Sequence, residues 1–320
     1  MAALRRDLSN QAGTFANVVF ERENEVVISM PTSPTPSNDN PASTVKATDN
    51  PNATVVPGKM RSDREQIPGG FSKLDADKAE TMEAAGAGNG AAGVFVTPGC
   101  QVYWPAPYEV CGAIKDKYNS LGGPNSFLLW PTTNELTNPD NVGKRSVFQN
   151  GPIYWAPRSG AHPVVNHFFA AWQRNGWEAG WLGYPTTDEI PAAEGGRRQE
   201  FNHGAIYWHF NEAYAVGGAI RDKWNQHGAE GGHLGYPSSD ELPLAKYNGR
   251  FNNFDGGAIY WSTVTDAHSV DLVIATVWRS RGSEAGQHGY PVTDTYAEPG
   301  GQGWLAQDFE VDRIAFYRPF

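Results

Sequence analysis

Four copies of one short motif bring together the side chains of this chain that could do chemistry. They are WLGYPTTDE at 181–189, HLGYPSSDE at 233–241, QHGYPVTDT at 287–295 and a degraded LLWPTTNE at 128–135. Each copy places hydroxyl groups before a carboxylate or its amide equivalent, which can accept hydrogen bonds, bind cations or transfer protons. The motif could therefore belong to a catalytic site, to a binding site or to the framework of a repeat.

Four roles are open to the motif aspartates Asp188, Asp240 and Asp294. They could form caps or salt bridges, accept hydrogen bonds from sugar hydroxyls, bind Ca²⁺, or act as catalytic acids. A glycosidase needs one asymmetric pair of carboxylates at a set separation, whereas here the same group recurs in register. The recurrence favours repeated architecture or repeated weak sugar sites, and if the motif touches a ligand, we expect these aspartates to make the contact.

The glycines and prolines of the motif are predicted to be structural. Gly before an aromatic residue permits a backbone conformation that other residues avoid, and Pro then fixes φ. The hydroxyl groups that follow can bind backbone amides and lock the loop. The predicted structural residues are Gly183, Pro185, Gly235, Pro237, Gly289 and Pro291.

An Ile-Tyr-Trp tripeptide accompanies three copies of the motif. Trp and Tyr offer flat, rigid surfaces with a polar tip, which suit the apolar C–H faces of sugars. In a strand, Ile and Trp share one face, which we expect to include the core, so the tyrosines are expected on the solvent side. Core packing and sugar binding are both open to these residues. The predicted glycan-binding aromatic residues are Tyr154, Trp155, Tyr207, Trp208, Tyr260 and Trp261.

A repeat of 52 to 54 residues positions these groups. In each copy three apolar residues spaced by four, such as Val216, Ile220 and Trp224, predict a short amphipathic helix ending in an aromatic residue. The motif proline follows that aromatic residue by thirteen residues in all four copies, which indicates a fixed three-dimensional unit. We predict an α+β repeat protein of four helix–loop–β-hairpin units.

An unmatched aromatic strand, Val102 to Trp104, stands in front of the first helix. A repeat array can close when one unit takes a strand from each end of the chain. We therefore expect a closed, propeller-like ring, with an open solenoid as the alternative.

Two cysteines, Cys100 and Cys111, are eleven residues apart. A disulfide that ties the leading strand to the first helix, and with it an oxidising compartment, is the preferred interpretation; two buried free thiols are the alternative. No histidine cluster accompanies them, and we predict no metal site.

Composition limits the classes of partner. The net charge of -10 and the pI near 5.3 argue against nucleic acid or an anionic membrane as the main partner. No stretch approaches the run of about 18 apolar residues that a spanning helix needs. Nucleophile-elbow, His-Glu-x-x-His and phosphate-loop signatures do not occur, so we expect a protein that is not an enzyme and has no cofactor. We also expect the protein to be a monomer.

Composition also divides the chain, because no Tyr or Trp precedes Tyr103. We predict a short segment of unread role at 1–30, a disordered Pro/Ser/Thr linker with a short helix at about 72–85 over 31–94, and a repeat domain over 95–320. The first thirty residues show no apolar signal-peptide core.

At Leu182-Gly183-Tyr184-Pro185 and Leu234-Gly235-Tyr236-Pro237 the chain resembles the LGFP tandem-repeat family, with Tyr in the aromatic slot. The first copy departs from the pattern at Leu129 and Trp130, and the last at His288. The resemblance covers roughly Cys100 to Phe320 and is specific, because several motifs recur in register. Proteins of this family occur in the envelopes of bacteria with mycolic-acid outer layers. There the repeats accompany mycolyltransferases, esterases and peptidoglycan hydrolases, and are regarded as anchors to cell-wall polysaccharide.

The resemblance and the aromatic content together predict a non-catalytic, extracellular module that binds an arabinogalactan-like polysaccharide of the cell wall. The alternative is an envelope protein–protein scaffold, or an accessory domain for a cell-wall enzyme such as a mycolyltransferase or hydrolase. A hydrolase with an unrecognised site is a third hypothesis.

Overall fold

Helices and small antiparallel sheets alternate along this chain. The computed structural model describes residues 58–85, 96–299 and 303–317, which lie in one compact unit, Asn40–Phe320. Residues 1–30 and most of the predicted linker lie outside the described ranges. Within those ranges the chain forms five α-helices and seventeen strands.

The helices are short. They are α1 (Lys73–Ala84), α2 (Gly112–Leu121), α3 (Asn166–Arg174), α4 (Gly218–Gln226) and α5 (Leu272–Ser280). Ser72 caps α1, because its side chain accepts a hydrogen bond from the Asp75 N–H. Among the described residues, no helix is long and apolar enough to cross a membrane.

The strands form five sheets, each pairing neighbours along the chain. Sheet I contains β1 (Cys100–Tyr103) and β2 (Ala106–Cys111). Sheet II contains β3 (Leu136–Thr137), β4 (Lys144–Phe148), β5 (Gly151–Ala156) and β6 (Gly160–Pro163). Sheet III contains β7 (Ile190–Pro191), β8 (Arg197–Glu200), β9 (Gly204–His209) and β10 (Glu212–Gly217). Sheet IV contains β11 (Leu242–Pro243), β12 (Arg250–Phe254), β13 (Gly257–Ser262) and β14 (Asp266–Asp271). Sheet V contains β15 (Tyr296–Ala297), β16 (Trp304–Asp308) and β17 (Arg313–Tyr317).

The predicted fold class, an α+β ring of helix–loop–hairpin units, is wrong. The described chain is mostly β, and sheets II to IV have four strands where a hairpin was expected. The strand that the sequence pattern missed leads directly into each helix: Val110, Val216 and Val270 lie in β2, β10 and β14. Where a strand runs directly into a helix, an apolar residue of the strand can continue the i, i+4, i+8 spacing of the helix. A prediction from periodicity alone then assigns the end of the strand to the helix.

The predicted closure of the ring is also wrong, since none of the five sheets is closed. In the described residues β1 pairs only with β2, and β17 pairs only with β16, so the two end strands share no sheet. The outer face of sheet I is instead covered by α1, whose Ala76 and Ala79 pack against Val102 and Trp104.

The predicted disulfide is present. Cys100 and Cys111 are bonded and face each other across β1 and β2. Because Cys111 is also the N-cap residue of α2, the bond ties the leading strand to the start of that helix.

The core is divided among the gaps between consecutive sheets, and one helix fills each gap. At the centre of each gap lies an aromatic residue of the helix that is 0% exposed. From the first gap to the fourth, these residues are Tyr118, Trp172, Trp224 and Trp278. The Trp224 ring packs edge-to-face on Tyr207 of sheet III at 4.7 Å and lies 5.4 Å from Phe254 of sheet IV. The same trio recurs in the gaps on either side, as Tyr154–Trp172–Phe201 and Tyr260–Trp278–Phe309. Each of sheets II to IV is therefore buried by the helices of both neighbouring gaps.

A hydrogen bond accounts for the constant spacing between helix and motif. The indole N–H groups of Trp172, Trp224 and Trp278 donate to the carbonyls of Gly183, Gly235 and Gly289, at 3.0, 3.1 and 3.1 Å respectively. In the first copy the Tyr118 hydroxyl donates to the Leu129 carbonyl. Since the acceptor stands two residues before the proline in every copy, the intervening chain has one length.

The acceptor residue has a left-handed backbone in all four copies. Gly183, Gly235 and Gly289 have φ of 69°, 66° and 73°, and Leu129 has φ of 59°. The degraded first motif therefore keeps the loop geometry of the others, although side chains disfavour this conformation.

This conformation gives a stability prediction at Leu129. We expect L129G to be more stable than L129A by about 1 kcal/mol, because only the alanine keeps a Cβ in the left-handed region. Both variants lose the leucine side chain, so their difference isolates the backbone term. Urea denaturation measures it, and an alanine variant as stable as the glycine variant would show that Leu129 is not held in this conformation.

Candidate functional site

The tyrosines of the Ile-Tyr-Trp tripeptides lie in the core. Tyr154, Tyr207 and Tyr260 are 6%, 1% and 3% exposed. The prediction that they face solvent is wrong, because the helix of the following gap covers their side of the sheet. The predicted alternation is confirmed, since each tyrosine packs in a different gap from the Ile of its own strand.

The tryptophans of the same tripeptides are partly exposed at the rim of the preceding gap. Each is paired with a cation on one neighbouring strand and with a small alanine on the other. We call these sets the tryptophan rows: Lys144–Trp155–Ala161, Arg197–Trp208–Ala213 and Arg250–Trp261–Ala267. Neighbouring strands are about 4.8 Å apart, so one small ring could contact both the indole and the cation.

Acidic or hydroxyl groups accompany the cations of the rows. Arg197 forms an ion pair with Glu189, and the Arg250 Nε lies 3.6 Å from the Glu241 Oε1. In the first row the Lys144 Nζ donates to the Thr137 Oγ1 at 2.7 Å. Burial raises the pKa of Glu241, although Arg250 opposes the rise. Because carboxylates lie beside the arginines, the second and third rows suit a neutral, hydroxyl-bearing ligand better than an anion.

The row cations and their acidic partners were missed by the sequence reasoning. A signal was available, because Lys144, Arg197 and Arg250 each precede the row tryptophan by eleven residues. The fourth copy has Leu305 and Phe316 at this spacing, and these two residues pair across β16 and β17. Cation and tryptophan are thus replaced together there.

The predicted glycan-binding aspartates join consecutive units. Asp294 accepts hydrogen bonds from the Lys223 Nζ at 3.0 Å and the Ser269 N–H at 2.9 Å, and its carboxylate lies 3.4 Å from the His268 Nδ1. The equivalent contacts are Asp188 with Lys117 and His162, and Asp240 with Arg174 and the Ala215 N–H. In each case the cation comes from the helix one gap earlier, so the carboxylate bridges a helix, a sheet and the next motif loop.

The remaining motif side chains hold the loop. The Thr187, Ser239 and Thr293 hydroxyls accept the Glu200, Asn253 and Asp308 N–H groups at 3.1, 2.9 and 3.1 Å. The motif prolines Pro185, Pro237 and Pro291 form bridges with Phe201, Phe254 and Phe309. The motif tyrosines reach back to the preceding sheet: the Tyr290 hydroxyl donates to the Lys246 carbonyl at 2.6 Å, and that of Tyr184 to Asp140 at 2.6 Å.

One possible metal-ligand cluster occurs in the described part of the chain, formed by Cys100, Glu109 and Cys111. Both sulfur atoms belong to the disulfide, and a disulfide sulfur is not the thiolate that binds metals.

Asp294 gives a pH prediction. Burial alone would raise the pKa of Asp294, but the neighbouring His268, the hydrogen bond from the Ser269 N–H and Lys223 together outweigh burial and hold this pKa well below its usual value. The unfolded chain takes up a proton at this carboxyl near about pH 4, whereas the folded protein does so only at lower pH. Its stabilisation is therefore complete above about pH 4 and is lost as the pH falls further.

We expect D294N to be less stable than the wild type at neutral pH by about 1–2 kcal/mol, with a difference that shrinks below about pH 4. Urea denaturation across this range measures it. Asp222→Asn, at an exposed position next to Lys223, is the control and should shift stability by less than about 0.5 kcal/mol. A D294N deficit that does not change with pH would contradict the role assigned to this carboxylate.

The LGFP repeat model matches three segments of the chain, residues 128–180, 182–232 and 234–286. Each matched segment begins at the leucine of a motif copy, namely Leu128, Leu182 and Leu234. No curated protein matches the chain. LGFP repeats are tandem repeats of a non-enzymatic module associated with the cell envelope. The chain therefore contains three LGFP repeats, at residues 128–286.

Proposed function

We propose that this protein is a non-catalytic module of the cell envelope that binds cell-wall polysaccharide through its tryptophan rows. The observation that carries the proposal is the threefold recurrence of one surface: a partly exposed indole with a cation beside it on one neighbouring strand and a small, buried alanine on the other. A neutral sugar is the ligand class that fits, since its C–H face can lie on the indole while its hydroxyls bind charged side chains.

Repetition of the row raises the affinity for a polymer. A single stacked sugar ring binds weakly, but several equivalent rows on one chain can hold a polymer with much higher apparent affinity. This favours a polysaccharide with repeating sugars, such as arabinogalactan, over a small soluble ligand.

The other residues predicted to bind glycan have supporting roles in this proposal. The tyrosines hold the helix tryptophans in place, since each packs edge-to-face on one of them. Of the aspartates, Asp188 has the most exposed side chain and is the one we propose for direct contact with sugar.

The disulfide supports a location outside the cytoplasm. Disulfides persist in oxidising compartments, and the Cys100–Cys111 bond fixes the first sheet of the repeat region. An extracellular, wall-bound monomer is the state that we propose.

Removal of the row tryptophans should weaken binding to insoluble arabinogalactan in a pull-down with the full chain. We expect W155A, W208A and W261A each to reduce retention by about tenfold, which corresponds to about 1.4 kcal/mol, and the triple variant to abolish it. Arg197→Gln should also weaken binding. Because this side chain is 42% exposed, the substitution disturbs the core less than the tryptophan substitutions do.

The matched control is F316A, which alters the equivalent position in sheet V where no cation is present. It should bind as the wild type does. Thermal denaturation of every variant separates loss of binding from loss of folding. A folded triple variant that is retained like the wild type would exclude the rows as the binding surface, and a wild-type chain that is not retained would refute polysaccharide binding itself.

A further inference from the structure

The turn between β9 and β10 exposes an aromatic residue in an unfavourable backbone conformation. Phe210 is 83% exposed and has φ of 46°, and Asn211 after it has φ of 67°. Two residues with positive φ form the hairpin turn that normally takes Asn or Gly in its first position. The side chain of phenylalanine disfavours this backbone conformation, and at this exposure burial of the ring cannot offset the cost.

The Phe210 ring is nevertheless held by its neighbours. It lies 3.8 Å from the His209 ring, which in turn stacks on Tyr236 at 4.2 Å with an interplanar angle of 13°. Tyr236 is buried, and its hydroxyl donates to the Ala193 carbonyl. Phe210 is thus the outer member of three rings in contact, tilted against His209 by 44°, and it presents its ring to solvent while the innermost ring lies in the core.

Polar groups flank this ring. Asn211 and Glu212 are exposed beside it, and the Glu212 carboxylate accepts a hydrogen bond from the Tyr214 hydroxyl at 3.0 Å. An aromatic face next to an amide and a carboxylate is the combination that binds a sugar ring. A protein partner fits less well, because a stable protein interface buries about 800 Å² on each side and this apolar surface is one ring wide.

We propose that Phe210 is an additional sugar-stacking residue at the tip of the hairpin that carries Trp208, for a neutral sugar ring of the same polysaccharide. The proposal rests on the proposed function. Trp208 is two residues away on the same hairpin but packs in the preceding gap, whereas His209 stacks on Tyr236 of the following gap, so Phe210 forms a subsite separate from the row. The equivalent turns of sheets II and IV are one residue longer and carry Arg158 and Val264, so the subsite belongs to sheet III.

Phe210→Asn distinguishes a binding role from a structural one, because asparagine suits the left-handed turn. We expect F210N to raise the Tm by about 2 °C and to weaken retention on insoluble arabinogalactan about three- to tenfold. Phe210→Trp should restore binding, because it keeps an aromatic face. Val264→Asn, at a 64% exposed side chain in the equivalent turn of sheet IV, is the matched control and should leave binding unchanged.

The outcomes separate this subsite from the function on which it rests. If F210N binds within twofold of the wild type while the triple tryptophan variant does not bind, the subsite is refuted and the proposed function stands. If V264N weakens binding as much as F210N does, aromatic stacking is refuted. If the wild type is not retained at all, both proposals fall.

Discussion

The hydrogen bond from the helix tryptophan to the motif glycine is the contact on which each repeat unit depends. The indole is fully buried, so its N–H must find an acceptor inside the protein, and the left-handed glycine offers its carbonyl there. The tryptophan side chain thereby packs on two sheets, and its hydrogen bond fixes the length of the loop that runs from the helix to the motif. Tyr118 and Leu129 reproduce the contact with a different donor and without a glycine, which shows that the geometry matters more than the residues that provide it.

Because sheets II to IV are each covered by the helices of two gaps, no unit is complete alone, and the first sheet needs a substitute for the unit that would precede it. Residues 58–85 provide one. Helix α1 covers the outer face of sheet I, and the Arg61 guanidinium lies 4.0 Å from the ring centre of Trp104, the counterpart of the row tryptophans. The Glu83 carboxylate accepts a hydrogen bond from the backbone N–H of Trp104 at 2.9 Å. Among the described residues, sheet I has two strands and neither carries a row cation; Arg61 takes the place of that cation and covers the Trp104 ring.

The sequence revealed the period, the helix aromatic residues, the alternation of Ile and Trp with Tyr, and the disulfide, because each depends on local spacing. It did not reveal the strand before each helix, since Val216 continues the helical period. It also misplaced Tyr207, because the surface that buries this residue comes from the following gap. The tryptophan rows were not predicted, because Arg197 and Trp208 become neighbours only through the register of β8 and β9. Burial by the next unit and pairing across strands both depend on the three-dimensional arrangement, which residue spacing along one strand or helix does not show.

The fourth copy separates the residues that fold a unit from those that we propose for binding. It keeps the folding contacts: Trp278 donates to Gly289, Asp294 binds Lys223, and the buried Gln307 side chain donates to the Ser269 carbonyl at 2.9 Å. At the row positions it has Leu305 and Phe316 in place of cation and tryptophan. A unit can therefore fold without a row. In the other three copies the row tryptophan packs against the core of its gap and is also partly exposed, and it is this exposed surface that we propose for the ligand.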